Sequence, residues 1–382
     1  MTEPDLLYSE AEADLRSAVR SLLADRAAPA AVLAHSETDR PYDAALWRVL
    51  AAEMGTAGLL VPEKLGGQGA GARETAVVLE ELGRTVAPVP YLTSAVLAVS
   101  ALLACDTGQD VVAEPLRALA EGRRVGALAV PLPAAPGTPP PVTVRADAAG
   151  TLSGGVDTVA GAAGADLLLV RADGGLFAVD VADATSESVR VTGITPLDRT
   201  RPLSRVTLAG APARRIAGEE RATAAVDAAL LAGAGLLASE QLGLAEWCLT
   251  ETVRYAGERY QFGRPIGSFQ AIKHRLAELW LQVASARASA RNAADALAAH
   301  GAGGAETGST DTAVAVAVAQ SYCGQVAVRA AEECVQLHGG IGMTWEHPAH
   351  LYLKRAKADQ IALGAPGRHR EALAALVDLP AP

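Results

Sequence analysis

The spacing of apolar residues divides the chain into three zones. Up to about residue 122 the period is helical, as in "ARETAVVLEELGRTV". From about 123 to 215 the period shortens to that of strands, and beyond 216 it is helical again. We therefore predict an N-terminal α-helical domain at 1–122, a middle β domain at 123–215 and a C-terminal helical domain at 216–382.

The middle zone consists of short runs rich in β-branched and apolar residues, separated by Gly, Pro and Asp. These runs are "VGALAVPL", "ADLLLVRAD", "GLFAVDV", "VRVTG" and "SRVTLAG". No helical pattern lies between them, which favours a barrel or a sandwich over alternating strands and helices.

The C-terminal zone shows long helical periods. The last of four such segments is "HPAHLYLKRAKADQIAL", and the breaks between the segments are short or rich in glycine. Long helices with short connections are typical of a four-helix bundle. The whole chain is therefore predicted to have an α+β fold.

The net charge and the apolar tracts limit the kinds of partner that the chain is expected to bind. The formal net charge is −10, which argues against nucleic acid or an anionic membrane as the main partner. The longest apolar tract, "AALLAGAGLLA", is shorter than a membrane span and is flanked by Asp227 and Glu240. It predicts a core helix, so we expect no membrane association.

The four cysteines are scattered in apolar surroundings and show no CxxC or metal-ligand spacing. They are typical of reduced core residues, so the sequence predicts no metal site and a cytoplasmic location. The acidic, amphipathic N-terminus lacks the basic and apolar regions of a secretory signal, which favours the same location.

Three further stretches carry a family resemblance. They are "LLVPEKLGGQG…VVLEELGR" in the first zone, "ERYQFGRPIGSFQAIKHRLAEL" between the first two long helices and "QLHGGIGMTWEHPAHLYLKRAK" before the last. In this order, on a helix, sheet, helix background, they resemble the acyl-CoA dehydrogenase family over nearly the whole chain.

The resemblance implies an FAD enzyme that introduces an α,β double bond into an acyl-CoA thioester. In the family a Glu carboxylate removes the α-proton, the flavin takes the β-hydride, and electrons pass to an electron-transfer flavoprotein. The flavin lies between the β domain and the C-terminal bundle. Two motifs, RxxFG and QxxGG, reach the FAD of a neighbouring subunit in a dimer or tetramer.

Carried onto this chain, the two motifs predict six cofactor-binding residues. The physical chemistry agrees, because a pyrophosphate needs a cation and open backbone N–H groups, and a glutamine offers both a donor and an acceptor. The predicted residues are Arg259, Phe262 and Gly263 from the first motif, and Gln336, Gly339 and Gly340 from the second.

The sequence departs from the family where the chain's own flavin and base are expected. Leu363 in "IALGAPG" stands where many members have the catalytic Glu, and leucine cannot accept a proton. A second subgroup carries its Glu early in the first long helix, where this chain has Gly233 and Ala234. The flavin-contacting side chains of the β domain are also absent, which leaves backbone contacts from residues such as Val130 and Leu132.

Glu240 is a candidate substitute base. It lies two helical turns after Gly233 on nearly the same face. A carboxylate in so apolar a helix is expected to have a raised pKa, which would suit a base acting near neutrality. The alternative is a structural Glu paired with a Lys or Arg.

The retained and missing motifs together suggest that cofactor binding and proton abstraction belong to different subunits. This pattern resembles that of some acyl-CoA dehydrogenases, notably those of bacterial steroid side-chain breakdown. These are heterotetramers in which one subunit supplies the carboxylate and the other completes cofactor binding. We expect this chain to be a subunit of the second kind. The alternatives are a self-sufficient homo-oligomer using Glu240 or a water-mediated base, a flavin monooxygenase-like member, and a scaffold without activity.

Overall fold

The computed structural model describes residues 6–182, 185, 187–303 and 307–379. A helical region is followed by two β-sheets and then by a second helical region. The predicted α+β fold is therefore confirmed. Strands replace helices close to residue 122, and helices return close to 215, but these domain limits remain predictions.

The N-terminal region is built of helices that pack around one apolar core. Helix α1 begins with a capping box, because Ser9 Oγ accepts from the Glu12 N–H at 3.2 Å and Glu12 Oε2 accepts from the Ser9 N–H at 2.7 Å. The α-helices of this region are α1 (Glu10–Arg26), α2 (Pro29–Ser36), α3 (Ala44–Arg48), α4 (Ala72–Thr85), α5 (Val99–Leu103) and α6 (Asp110–Ala120).

The middle region contains two four-stranded sheets, ordered β1-β4-β5-β8 and β2-β3-β7-β6. Strand β1 pairs with β4 in parallel, and the other pairs in both sheets are antiparallel. The strands are β1 (Gly126–Leu128), β2 (Val144–Ala146), β3 (Thr151–Ala160), β4 (Leu167–Ala172), β5 (Gly175–Asp180), β6 (Val189–Ile194), β7 (Leu203–Pro212) and β8 (Arg214–Gly218).

Strand β4 shows why its sequence is continuously apolar. Leu168 and Val170 enter the core between the two sheets, whereas Leu167 and Leu169 enter the core shared with the helices. Because successive side chains of a strand point to opposite faces, a strand buried on both faces has no polar alternation. The two sheets enclose one apolar layer, so the sandwich is the correct choice between the two predicted architectures.

The C-terminal region differs from the predicted four-helix bundle by one helix. A fifth helix, α11, begins with Pro366 in its first turn, where a proline is tolerated because that N–H needs no helical partner. The elements are α7 (Glu219–Glu258), the hairpin strands β9 (Tyr260–Gln261) and β10 (Arg264–Pro265), α8 (Gln270–Gly303), α9 (Thr307–His338), α10 (Ala349–Ile361) and α11 (Pro366–Leu376).

Helices α4 and α7 touch backbone to backbone through two glycines. A Cβ placed on Gly83 would lie 2.1 Å from the Glu240 carbonyl oxygen, and one placed on Gly243 would lie 2.0 Å from the Glu80 carbonyl oxygen. Only glycine permits so close an approach. This contact fixes the N-terminal region against the central helix of the bundle.

Helix α7 alone among the described helices is long and apolar enough to cross a membrane by length and composition. Within its most apolar window, 67% of the residues are buried inside the protein. This burial is what the core helix of a folded domain requires, as predicted for "AALLAGAGLLA".

Candidate functional site

The RxxFG motif forms the end of α7 and a tight hairpin. Phe262 and Gly263 make the two-residue turn between β9 and β10 with φ of 54° and 77°, the left-handed values that a type I′ hairpin needs. Phe262 is 91% exposed. The exposed Arg259 side chain makes no hydrogen bond or ion pair with any residue that the structure describes.

The QxxGG motif forms the end of α9 and the 3₁₀ turn Gly339–Met343. Gln336, Gly339 and Gly340 are exposed. Gly339 has a φ of 63°, which explains that glycine by backbone conformation. Gly340 has no such φ, and a Cβ placed there meets nothing within 4 Å. Nothing in the described fold of the isolated chain therefore requires Gly340.

Stacked rings bring the two motifs together. Tyr255, one turn before Arg259, stacks on His338 with 4.2 Å between ring centroids, and its hydroxyl lies 3.4 Å from the His338 carbonyl oxygen. We call the surface formed by the six predicted cofactor-binding residues the outer face. Its surroundings expose Met343 and Trp345. An unpaired cation, bare backbone and apolar side chains on one surface can accept a phosphate-bearing ligand and a second protein.

The two segments expected to lie beside the chain's own flavin are in contact with each other. Leu363, in the turn between α10 and α11, donates its backbone N–H to the Leu132 carbonyl oxygen at 2.7 Å. A Cβ placed on Gly364 would lie 2.9 Å from the Ala135 Cβ. We call the contact between the segment 130–135 and the turn 362–365 the inner slot. A hydrogen bond of this length leaves no room for a flavin ring between Leu132 and Leu363.

The two backbone positions predicted to contact the flavin have partners within the chain. The Val130 N–H donates to the Leu128 carbonyl at 2.9 Å, and the Leu132 N–H donates to the Thr158 carbonyl at 3.0 Å. Both residues are buried. The geometry does not favour the predicted contacts, because neither N–H is free and the Leu132 carbonyl is engaged by Leu363.

The two base positions known in the family meet at this slot. A Cβ placed on Gly233 would lie 3.0 Å from Leu363 Cδ1 and 2.5 Å from Leu97 Cδ2. Leu363 is fully buried and has a φ of 54°, a backbone region that leucine rarely adopts. The two positions that correspond to the family's catalytic carboxylate therefore lie among buried leucine side chains.

Comparison of the sequence with known proteins supports the family that the two motifs predicted. The family model for the acyl-CoA dehydrogenase N-terminal domain matches residues 9–123, and the model for the C-terminal domain matches residues 223–377. The acyl-CoA dehydrogenase IpdE2 of Mycobacterium tuberculosis is 37% identical over 92% of this chain and 92% of its own length. The chain belongs to the acyl-CoA dehydrogenase family.

The chain also resembles one chain from each of two solved protein assemblies. One chain of the ChsE4-ChsE5 complex from Mycobacterium tuberculosis superposes with a TM-score of 0.83 at 28% identity, covering 99% of this chain and 100% of that one. A variant of the Tcur3481-Tcur3483 steroid ACAD superposes with a TM-score of 0.82 at 30% identity, covering 97% and 98%. Acyl-CoA dehydrogenases are FAD-binding oxidoreductases of lipid metabolism, as the sequence motifs predicted.

Glu240 lies in a buried ion cluster. Its two carboxylate oxygens each lie 2.7 Å from Arg201 Nη2, and Oε1 also accepts from Arg355 Nη1. Burial raises the pKa of Glu240, but Arg201 and Arg355 outweigh this effect and lower it. The expectation of a raised pKa is therefore wrong. An ionised carboxylate held by two guanidinium groups is a poor base, and the pairing with arginine weighed as the alternative is what the structure shows.

Two more carboxylates complete the cluster. Arg201 donates to Asp359, and Arg355 Nε lies 2.6 Å from Asp198 Oδ2. Burial and the neighbouring Glu240 raise the pKa of Asp359 to about 8, against the opposing effect of the two arginines. The cluster joins the loop before β7 to α7 and α10, so its role is to hold the β domain against the bundle.

A cavity of about 410 Å³ opens beside the inner slot, between α7, α9, α11 and the loop 135–138. Its lining includes apolar Leu231 and Val316 and the charged residues Asp227 and Arg368. The Asp227 carboxylate accepts from the Gly137 N–H, and Arg368 Nη2 donates to Thr138 Oγ1 at 3.2 Å. Sequence analysis missed these residues because separate helices bring them together, and no local motif marks them.

Proposed function

We propose that this chain completes FAD binding for a partner acyl-CoA dehydrogenase subunit, and that the partner carries the catalytic carboxylate. The pair would desaturate an acyl-CoA thioester of the steroid-derived type and pass the electrons to an electron-transfer flavoprotein. When bound, FAD supplies the hydride acceptor. This chain would hold the cofactor's polar part from outside the partner's site.

The hydrogen bond between the Leu363 N–H and the Leu132 carbonyl carries the proposal. It joins the two segments between which the family resemblance places the chain's own flavin, and this contact argues against a flavin bound there. The missing base at Leu363 and Gly233 agrees, because a site without a carboxylate has no group to take the α-proton.

The outer face supports the other half of the proposal. Arg259 offers a guanidinium that no described residue uses, and Gly340 leaves its backbone open to a ligand from outside the chain. A guanidinium and bare N–H groups are suitable donors for a pyrophosphate. Phe262, Met343 and Trp345 are large apolar side chains in solvent, which a second subunit would cover.

The relatives suggest the substrate class and the kind of assembly. One similar structure is described as a complex of two differently named chains, ChsE4 and ChsE5, and the other as a steroid ACAD. Carried to this chain, these descriptions favour an unlike acyl-CoA dehydrogenase partner and an acyl-CoA with a bulky ring system. We also propose a cytoplasmic location, which the four free, buried cysteines suit.

The test is to purify the chain alone and together with any homologous subunit encoded next to it, and to measure bound flavin by its visible spectrum. We expect the lone chain to lack flavin and the complex to hold it and to be bleached by an acyl-CoA. In the complex, Arg259→Gln should lower flavin content. Arg264→Gln is the matched control, because Arg264 lies in the same hairpin but stacks over Phe269 at 4.0 Å.

Other outcomes would point to the remaining functions. A lone chain that holds a full complement of flavin and is bleached by an acyl-CoA would refute the proposal and favour a self-sufficient enzyme. Oxygen consumption by reduced flavin without thioester bleaching would favour a monooxygenase-like activity. Absence of flavin from every preparation, including the complex, would favour a scaffold.

A further inference from the structure

Beneath the outer face, three side chains with metal-binding atoms converge from separate segments. Glu251 lies on α7, His338 ends α9, and His347 lies in the connection before α10. Glu251 Oε1 is 3.9 Å from His338 Nε2 and 3.7 Å from His347 Nε2. One ligand atom from each residue lies within 4.8 Å of the other two.

The orientation of His338 is the second observation. Its Nδ1 lies 2.6 Å from the Cys334 carbonyl oxygen, which can only accept a hydrogen bond, so the ring proton lies on Nδ1. The lone pair is then on Nε2, which faces Glu251. His338 is 2% exposed, and its Nε2 has no hydrogen-bond partner among the residues that the structure describes. A histidine held by a backbone carbonyl through one nitrogen, with the other nitrogen free, is the usual arrangement of a metal ligand.

The remaining contacts leave room for an ion. Arg254 donates to both Glu251 oxygens, with 3.0 Å between its Nε and Oε2. Its side chain is exposed and can keep Oε2 while Oε1 turns to a metal. Tyr255 and His347 flank the His338 ring, and Cys334 Sγ lies 3.7 Å from its Nδ1. Solvent reaches the cluster through the partly exposed Glu251 and His347.

We propose that Glu251, His338 and His347 bind a divalent transition-metal ion of the Zn²⁺ type. Two imidazoles and one carboxylate suit Zn²⁺ or Fe²⁺, with the remaining positions taken by water. Ligand atoms of a tetrahedral zinc site are about 3.4 Å apart, so the two distances to Glu251 need to shorten by roughly half an ångström. The separation between the ligand nitrogens of His338 and His347, which is within 4.8 Å, needs to reach the same value. His347 lies in a connection rather than a helix, and its Nδ1 accepts from the Ala349 N–H at 3.3 Å. Metal binding therefore requires the ring to leave this contact, so that the proton moves to Nδ1 and Nε2 offers its lone pair.

The consequence goes beyond the proposed function and does not depend on it. A metal here would link α7 to the end of α9 and to the connection before α10. These are the segments that carry Arg259 and Gln336. The ion would therefore fix the geometry of the outer face whether or not a partner is present. The sequence predicted no metal site because the three ligands have no common local spacing.

The test is titration of the full-length chain with Co²⁺, whose visible absorption reports coordination, followed by displacement with Zn²⁺. We expect one ion per chain, displaced by Zn²⁺. His347→Gln and Glu251→Gln should each weaken binding at least about tenfold. Circular dichroism of each variant checks folding, and neither variant alters the buried His338.

Two matched controls separate this site from adventitious binding. His350→Gln removes a histidine three residues away, and Glu258→Gln removes another carboxylate that pairs with Arg254. Both should retain the wild-type affinity. Absence of stoichiometric binding, or an affinity unchanged in His347→Gln and Glu251→Gln, would overturn the proposal. An equal loss in His350→Gln would also overturn it.

Discussion

The outer face and the inner slot derive from the same family site, but they have opposite character in this chain. The outer face is open, with exposed glycines, exposed aromatic side chains and an arginine that pairs with no residue in the described part of the chain. The inner slot is closed by a backbone hydrogen bond and by buried leucine. We infer from this difference that one part of the family's site can be lost while another part is kept.

The largest expected effect concerns the ion cluster that holds the closed side together. Arg355→Ala removes a partner from both Glu240 and Asp198, which are buried. We expect the free energy of unfolding to fall by about 3–5 kcal/mol, because breaking a buried ion pair leaves an uncompensated charge. Arg254→Ala, at an exposed pair, should cost at most about 1 kcal/mol in the same denaturant titration. Equal losses of unfolding free energy in the two variants would show that the ion cluster does not hold the β domain against the bundle.

A second change places the family's carboxylate back in the inner slot. Leu363→Glu would bury a polar group against Leu97 and Gly233, so we expect a loss of about 3 kcal/mol in unfolding free energy and no activity in the lone chain. Leu363→Met, which keeps volume and polarity, should cost less than about 1.5 kcal/mol. Acyl-CoA-dependent bleaching of a flavin bound to the lone Leu363→Glu chain would contradict the closed slot.

The pH dependence of stability tests the charge balance of the cluster. The pKa of Asp359 is about 8 in the folded chain, against 3.8 as its ordinary value. Between these values the folded chain keeps a proton that the unfolded chain has released, so stability falls as pH rises, by up to about 1.4 kcal/mol per pH unit. Asp359→Asn should flatten this slope in denaturant titrations at several pH values. The exposed Asp157→Asn should leave it unchanged.

The smallest effect separates glycines needed by the fold from those needed by a ligand. A Cβ on Gly342 would lie 2.6 Å from the Val335 carbonyl oxygen, so Gly342→Ala should cost about 1 kcal/mol. Gly340→Ala meets open space and should change stability by less than about 0.5 kcal/mol. The flavin content of the complex should nevertheless fall in Gly340→Ala. Retention of flavin at wild-type content would mean that no cofactor approaches this glycine.

The success of the fold prediction has a physical basis in local pattern. Helical and strand periods are written in consecutive residues, so the order of helices, sheets and helices could be predicted. Helix α11 was missed because the signal that begins it, a proline in the first turn, also marks the end of a helix. The motifs of the outer face were also found, because each is a short stretch at the end of one helix.

The direction of the pKa shift of Glu240 could not be predicted from the residues next to it in the sequence. The apolar helix around it indicated burial correctly, and burial alone raises a carboxylate pKa. Arg201 comes from the β domain and Arg355 from α10, and only the folded chain places both guanidinium groups on this carboxylate. Long-range charge pairing reversed the direction of the shift.

By itself, the sequence determined the class of fold, the family and the absence of the family's base at Leu363, because these depend on residue identity and local period. The tertiary structure alone decided that the inner slot is closed, that Glu240 is a structural ion, and that Glu251, His338 and His347 meet. Each of these facts depends on distances between segments far apart in the chain. Such distances are fixed by packing, and no local pattern encodes them.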